Sequence, residues 1–142
     1  MFKTLLCLIL LFNLYNCETF EGVKVYEIKN NANSEQSINV NIGDEFALKF
    51  RGNPTTGYTW VLLNPNEGQS SLLGTNFEND GSGQYVPDST DKFLCGGGGS
   101  FYYKFQALKP SNGEIVLRFS YRRVWSKQSN KLPETLVKIT VN

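Results

Sequence analysis

The sequence contains no histidine among its 142 residues. This absence excludes nucleophilic catalysis by a Ser–His or Cys–His pair, and with it the usual histidine-containing zinc sites. Three cysteines are too few for a metal site built from thiolates alone. Paired carboxylates, as in glycosidases, remain possible, but the acidic residues are scattered through turns and no spacing marks a pair. The composition therefore disfavours an enzyme and leaves paired carboxylates as the enzymatic alternative.

The sequence also lacks an excess of charge of either sign. It has 14 basic and 13 acidic residues, and Lys3 is the only charged residue among the first seventeen. No basic run is longer than the pair Arg122 and Arg123. Binding of nucleic acid requires a basic patch that neutralises phosphates, and a polybasic membrane tether requires a similar cluster. We therefore expect no nucleic-acid partner, and no membrane partner once the N-terminal segment is removed.

Apolar residues form a continuous run from Leu5 to Phe12, near the start of the chain. Because this run follows a basic residue and is too short to cross a bilayer as a helix, it is typical of a secretory signal peptide. A membrane anchor or a buried N-terminal helix is the alternative. We predict that residues 1–17 are a cleaved signal and that residues 18–142 form a single domain. The mature protein is then expected to be secreted or endolysosomal, in a vesicular compartment.

Cysteine is scarce in the predicted mature chain. Cys7 and Cys17 lie in the predicted signal, so Cys95 remains alone and no internal disulfide can form. The domain must then be held together by its apolar core, which about 125 residues can provide. We expect Cys95 to be a free thiol that is buried or shielded by its loop, with pairing between chains as the alternative.

Alternation of apolar and polar residues predicts a series of short β-strands and no amphipathic helix. The predicted strands are residues 23–28, 37–42, 45–50, 58–63, 72–78, 101–108, 114–123 and 135–141. Trp60 is expected in the core, and residues 79–91 are predicted to form an extended surface excursion. This pattern predicts an all-β fold, an immunoglobulin-like antiparallel β-sandwich of about seven to eight strands.

The connection between the third and fourth predicted strands reads Asn53-Pro54-Thr55-Thr56-Gly57. Proline fixes its own φ and favours an extended residue before it, whereas glycine adopts a positive φ at little cost. Two β-branched threonines with restricted χ1 angles stand between them. The composition indicates a stiff turn, although an ordinary connecting loop uses the same residue types.

Two further connections have an unusual composition. Four consecutive glycines, Gly96 to Gly99, precede a predicted strand. They indicate a flexible linker, a phosphate-binding loop that lacks its lysine and helix, or a backbone that approaches another molecule too closely for a Cβ atom. Arg123 and Trp125 follow another strand, where the indole either packs over the end of the sandwich or anchors a partner. Alternate connections of such a sandwich emerge at one end, so we expect these loops to lie beside residues 53–57.

These three segments, in this order, resemble the motifs of the chagasin family of cysteine-protease inhibitors. The resemblance covers nearly the whole predicted mature chain. The family's first motif, Asn-Pro-Thr-Thr-Gly-Tyr, is complete here, from Asn53 to Tyr58. The family's Gly-x-Gly-Gly loop corresponds to the four glycines. Val124 stands where the family has the proline of Arg-Pro-Trp, so a restraint on φ is missing from that loop.

The resemblance implies an immunoglobulin-like fold whose three loops form a wedge, and this wedge enters the active-site cleft of papain-like, cathepsin-like cysteine proteases. The implied binding residues are Asn53, Pro54, Thr55, Thr56, Gly57, Tyr58, Gly96, Gly97, Gly98, Gly99, Arg123, Val124 and Trp125. Thr55 and Thr56 would approach the catalytic cysteine of the protease. The glycine loop would meet one wall of the cleft, and Arg123 and Trp125 the opposite wall. Such a protein is a reversible, tight-binding, monomeric inhibitor that is not an enzyme and needs no cofactor.

The alternative from a different class is an immunoglobulin-like adhesion or carbohydrate-binding module without inhibitory activity. It would use the same loops, with Trp125 and the tyrosines stacked on sugar rings. Thr55 and Thr56 would then contribute little to binding. Without the family resemblance, the residues indicate a secreted β-sandwich with a binding surface at one end.

Overall fold

The computed structural model describes residues 18–29, 33–66, 70–77, 80–89, 97–126 and 133–142. Within these residues the chain forms ten β-strands and a short 3-10 helix, Pro54–Thr56. The strands are β1 (Thr19–Phe20), β2 (Val23–Glu27), β3 (Glu35–Val40), β4 (Glu45–Gly52), β5 (Thr59–Leu62), β6 (Leu72–Gly74), β7 (Gln84–Pro87), β8 (Gly99–Ala107), β9 (Ile115–Arg122) and β10 (Thr135–Val141). The predicted signal, Cys95 and Gly96 lie outside the described residues. Among those that are described, no helix is long and apolar enough to cross a membrane.

The strands form two sheets. The first has the order β1-β2-β4-β8-β6, with β7 also paired to β8, and the second has the order β3-β10-β9-β5. The predicted all-β fold is confirmed. Two pairings between the described strands, β2 with β4 and β3 with β10, are parallel, so both sheets are mixed rather than purely antiparallel. Alternation could not reveal this, because it indicates which residues share a face and not the direction of the neighbouring strand.

The core lies between the two sheets and is rich in aromatic side chains. Phe50 of the first sheet packs on Trp60 and Phe119 of the second, with ring centroids 4.6 and 4.4 Å apart. Trp60 is only 4% exposed, so its predicted place in the core is confirmed. Burying side chains of this size contributes about 1.5–3 kcal/mol each, which is how a chain of this length can fold on apolar burial.

The main error of the sequence analysis concerns residues 79–91, which were predicted to form a surface excursion. Strand β7 lies within this range and pairs antiparallel with β8, from Gln84 opposite Tyr102 to Pro87 opposite Gly99. Most of β7 is exposed, and proline is tolerated at the edge of a sheet, so the segment lacks the alternation of an ordinary strand. Strand β3 also begins two residues earlier than predicted, and Ile42 lies beyond it, 52% exposed.

Strand register brings three connections to the same end of the molecule. Gly52 at the end of β4 pairs with Gly99 at the start of β8. Thr59 at the start of β5 pairs with Arg122 at the end of β9. The connections between β4 and β5, before β8 and after β9 therefore emerge side by side, as the sequence analysis expected.

Candidate functional site

Residues 53–57, here called the first loop, form a rigid turn that is stabilised by its own side chains. Asn53 is extended, with φ −136° and ψ 98°, and Gly57 closes the 3-10 helix with φ 84°. The Asn53 side-chain oxygen accepts hydrogen bonds from the Thr55 amide at 3.1 Å and the Thr55 hydroxyl at 2.6 Å. The Thr56 hydroxyl donates to the Asn53 carbonyl at 2.7 Å. The predicted stiff turn is confirmed, and both threonines remain exposed at its tip.

Tyr121, near the end of β9, fixes the base of the first loop, a role that its sequence neighbourhood does not indicate. Its hydroxyl accepts a hydrogen bond from the Asn53 amide at 2.9 Å and donates to the Asn53 carbonyl at 3.3 Å. Its ring packs between Tyr58 and Trp60, with centroids 5.4 and 5.2 Å away. One hydroxyl thus satisfies both backbone groups of the residue that begins the turn.

Residues 123–126, the third loop, turn back toward the first loop. The Ser126 amide donates to the Arg123 carbonyl at 3.3 Å. The Arg123 guanidinium donates to the Thr56 carbonyl at 3.4 Å and lies 4.7 Å from the centroid of the Tyr58 ring, a cation–π geometry. These contacts join the two loops although Val124 replaces the family's proline.

The Trp125 indole lies against the first loop and is still 70% exposed. A Cβ atom added to Gly57 would lie 2.8 Å from the indole ring, so the ring packs directly over this glycine. Val124 beside it is 61% exposed. The sequence left open whether the indole packs or binds. In the structure one part of the ring is supported by the protein, and the rest is available to a partner.

The described part of the glycine loop is Gly97, Gly98 and Gly99. A Cβ atom on Gly99 would lie 2.4 Å from the Val86 carbonyl oxygen, so the backbone that excludes a side chain there is β7 of the same chain. At Gly99 the close neighbour is therefore a strand of the same chain. At Gly97, in contrast, a Cβ atom would have no neighbour within 4 Å.

Arg51 and Asp88 form an ion pair beside the glycine loop. The two terminal guanidinium nitrogens donate to the two carboxylate oxygens, one to each. The hydrogen bond from Arg51 lowers the pKa of Asp88, with a smaller contribution from its charge. The same guanidinium donates to the Ser100 hydroxyl at 3.1 Å, and the Asp88 amide donates to the Gly98 carbonyl at 3.1 Å.

A groove of about 230 Å³ separates the first loop from the glycine loop. It is lined by Pro54, Thr55, Tyr85, Pro87, Asp88, Ser89, Gly97 and Gly98. The structure thus brings together all of the predicted site residues except Gly96, which lies outside the described residues. Across the part of the chain that is described, no group of three metal-binding side chains occurs. The arrangement exposes hydroxyls, bare backbone and an indole ring side by side at one end of the molecule.

Comparisons with known proteins agree with this architecture. Residues 39–141 match the family model described as Chagasin family peptidase inhibitor I42. Amoebiasin-1 of Entamoeba histolytica is 33% identical over 104 residues, which cover 73% of this chain and 89% of that protein.

Solved structures of three proteins share the fold. EhICP2, a cysteine protease inhibitor from Entamoeba histolytica, gives a TM-score of 0.60 at 14% identity and covers 83% of this chain and 96% of its own. The solution structure of Amebosin gives a TM-score of 0.52 at 26% identity, and the match covers 82% of this chain and 96% of Amebosin. PbICP-C, solved in complex with falcipain-2, gives a TM-score of 0.52 at 24% identity, and the match covers 84% of this chain and 99% of PbICP-C.

Proposed function

The chain belongs to the chagasin family of peptidase inhibitors, whose members are not enzymes, and we propose that it is a reversible, tight-binding inhibitor of papain-like cysteine proteases. The observation that carries this proposal is that the first loop, the glycine loop and the third loop lie together and form one continuous surface. Arg123 contacts Thr56, Trp125 packs on Gly57, and a single groove has both the first loop and the glycine loop in its wall.

In this proposal the first loop blocks the protease without being cleaved. Thr55 and Thr56 approach the catalytic cysteine, but their backbone is in a 3-10 helix rather than in the extended form of a substrate. The Thr56 carbonyl already accepts a hydrogen bond from Arg123, and Asn53 holds the Thr55 amide. A loop that is rigid before binding loses little entropy on docking, which favours tight association.

The other two loops contact the walls of the cleft. The exposed backbone at Gly97 allows close approach on one side, because no side chain stands in the way. The exposed face of Trp125, with Arg123 beside it, packs on the opposite wall near the catalytic histidine of the protease. Trp and Arg are enriched among residues that dominate binding energies. We expect a standard interface of roughly 1,600 Å².

The partner is a papain-like protease of the cathepsin kind, and the inhibitor acts as a monomer after removal of residues 1–17. The complex of PbICP-C with falcipain-2 supports binding to a protease as the mode of action. We propose a secreted or endolysosomal location, which the N-terminal apolar run favours.

Titration of papain with residues 18–142 tests the proposal. We expect a reversible loss of activity, with the inhibitor recovered uncut. Thr55→Ala combined with Thr56→Ala should raise the inhibition constant, and so should Trp125→Ala. Leu108→Ala, at the opposite end of β8 and 44% exposed, is the matched control for the indole and should have no effect.

A lack of inhibition would contradict the proposal. If the chain inhibits neither papain nor any other papain-like protease, the proposal is wrong. An adhesion or carbohydrate-binding module then becomes the better interpretation, since the exposed Trp125 ring could stack on a sugar. Binding to immobilised glycans, abolished by Trp125→Ala and unaffected by the threonine variants, would establish that alternative.

A further inference from the structure

We propose that Asp88 and Arg51 are positioning residues that hold the glycine loop in its binding conformation. The segment 80–89, which contains β7, then acts as a fourth part of the inhibitory end without having a motif of its own. The inference rests on the proposed inhibitory function and adds residues that the three loop motifs do not include.

The glycine loop has little means of holding its own shape. Glycine has more conformational freedom than any other residue, and ordering it costs the most backbone entropy. No side chain of Gly97, Gly98 or Gly99 is available to form a contact. Its order must therefore come from neighbouring segments.

Strand β7 supplies the first restraint through its backbone. The β7–β8 ladder runs to Pro87 opposite Gly99, and proline has no amide hydrogen to donate. The next donor along the chain is the Asp88 amide, which donates to the Gly98 carbonyl at 3.1 Å. This hydrogen bond extends the ladder by one residue into the glycine loop, and it depends on where Asp88 sits.

Arg51 supplies the second restraint through its side chain. Its guanidinium donates two parallel hydrogen bonds to the Asp88 carboxylate. Such bidentate pairs are stronger than single hydrogen bonds and fix the relative orientation of the two groups. It also donates to the Ser100 hydroxyl, just beyond the glycines. One cation thus binds both Asp88, which bonds to Gly98, and Ser100, which follows Gly99.

The same cation is anchored to the first loop. Arg51 lies in β4, two residues before Asn53, and its carbonyl accepts a hydrogen bond from the Trp60 indole at 2.9 Å. The Arg51–Asp88 pair therefore sets the position of the glycine loop relative to the first loop. Because the groove between these loops has Asp88 in its wall, movement of Asp88 would change the shape of the surface presented to a protease.

Two cations among the described residues attract the Asp88 carboxylate. Arg51 binds it directly, and Lys49, also on β4, adds a weaker attraction. The pKa of Asp88 is lowered, chiefly by the hydrogen bond from Arg51, so the contact between the two side chains favours the ionised carboxylate.

The chain offers a matched control for this ion pair. Arg118 binds Glu134 through two hydrogen bonds of 2.9 and 2.8 Å, and the Arg118 side chain is 45% exposed against 44% for Arg51. The control pair lies in the second sheet, where it joins the middle of β9 to the residue before β10, and neither residue lines the groove between the first loop and the glycine loop. Asp88→Asn and Glu134→Gln therefore remove the same chemistry at two places.

The experiment compares these variants in two measurements. The first is the inhibition constant against papain, and the second is amide hydrogen exchange at Gly97, Gly98 and Ser100 in the free inhibitor. We expect Asp88→Asn and Arg51→Gln each to raise the inhibition constant roughly fivefold to tenfold, since the loop must be ordered on binding. Both should speed exchange at the loop. Arg51→Lys should give a smaller effect, and Glu134→Gln none.

Each outcome separates the possible roles. Faster exchange together with weaker inhibition supports positioning. Weaker inhibition with unchanged exchange overturns it, because Arg51 and Asp88 would then contact the protease directly. Faster exchange with unchanged inhibition also overturns it, since the loop order would not matter for binding. If the parent chain inhibits no papain-like protease, the proposed function fails first, and exchange alone decides whether the pair orders the loop.

Discussion

The first loop and the glycine loop lie next to each other but are stabilised in different ways. The first loop carries its own restraints, because Asn53 bonds to Thr55 within the turn and Pro54 and Gly57 set its backbone. The glycine loop carries none, and its contacts come from β7, from the end of β4 at Gly52 and from the Arg51 side chain. A surface that must be rigid can thus be stabilised locally or by distant segments. Only the first kind of stability is visible in a short stretch of sequence.

The two glycines at the ends of the described glycine loop give the sharpest test of this comparison. Gly99→Ala should cost about 2 kcal/mol of folding stability, because its Cβ would overlap the Val86 carbonyl oxygen at 2.4 Å. Gly97→Ala should change stability by less than about 0.5 kcal/mol, since nothing lies within 4 Å. Urea denaturation measures both. Equal losses at the two positions would show that β7 does not restrain the loop as described.

Removing the Tyr121 hydroxyl tests the support that β9 gives to the base of the first loop. Tyr121→Phe should cost about 1–2 kcal/mol, because the partly buried Asn53 amide loses its hydrogen-bond acceptor. The inhibition constant should rise as well. Tyr26→Phe is the control, since this half-buried ring packs on Phe46 away from the loops. If Tyr121→Phe behaves like the control, the side chains of the first loop are sufficient to hold it.

Gly57→Ala tests the contact between the first and third loops. The substitution should cost about 1 kcal/mol because φ is 84°, and it should also displace Trp125, whose ring lies 2.8 Å from the added atom. Gly43→Ala is the matched control, since φ is 87° and nothing lies within 4 Å. Both variants should lose similar stability in urea. Gly57→Ala should raise the inhibition constant and Gly43→Ala should not. If both variants raise it equally, the position of the indole does not affect inhibition.

The smallest expected effect is a pH dependence at the base of β7. Tyr103 is fully buried, with its hydroxyl 2.8 Å from the Trp60 carbonyl and 3.1 Å from that of Gly81, and burial raises its pKa. Its contribution to stability is therefore complete below pH 10 and is lost as the pH rises further, by no more than about 1.4 kcal/mol per pH unit. Unfolding in urea at pH 9 and 10.5 should show this loss in the parent and less of it in Tyr103→Phe. Identical losses would argue against the buried phenol as the cause.

Much of the fold and the first loop could be predicted from the sequence because the controlling interactions are local. Strand β10 was predicted with its observed bounds, since every second side chain is buried. The turn at Pro54 and Gly57 follows from the backbone preferences of those two residues. The third loop was also recognised from Arg123 and Trp125 after a strand, but these residues left open whether the indole packs on the protein or binds a partner.

The remaining features join residues that are far apart in the chain. Tyr121 bonds to Asn53 across 68 positions, and a tyrosine near a strand end is also typical of a core residue. Arg51 and Asp88 are 37 positions apart, and neither stands out as a surface charge. Strand β7 was missed because most of its residues are exposed and it ends in Pro87. Such partners are defined only once the sheet registers are known.

The parallel pairing of β3 with β10 has a consequence for how the chain folds. Ile38 pairs with Ile139, so β3 can complete its pairing only with a strand that follows it by about a hundred residues in the chain. Because β10 lies between β3 and β9, its arrival completes two of the three ladders of the second sheet. Until then β3 presents an unpaired edge that could associate with other chains. We expect slow folding, on the millisecond-to-second scale of proteins dominated by distant pairings, and a need to keep nascent chains apart.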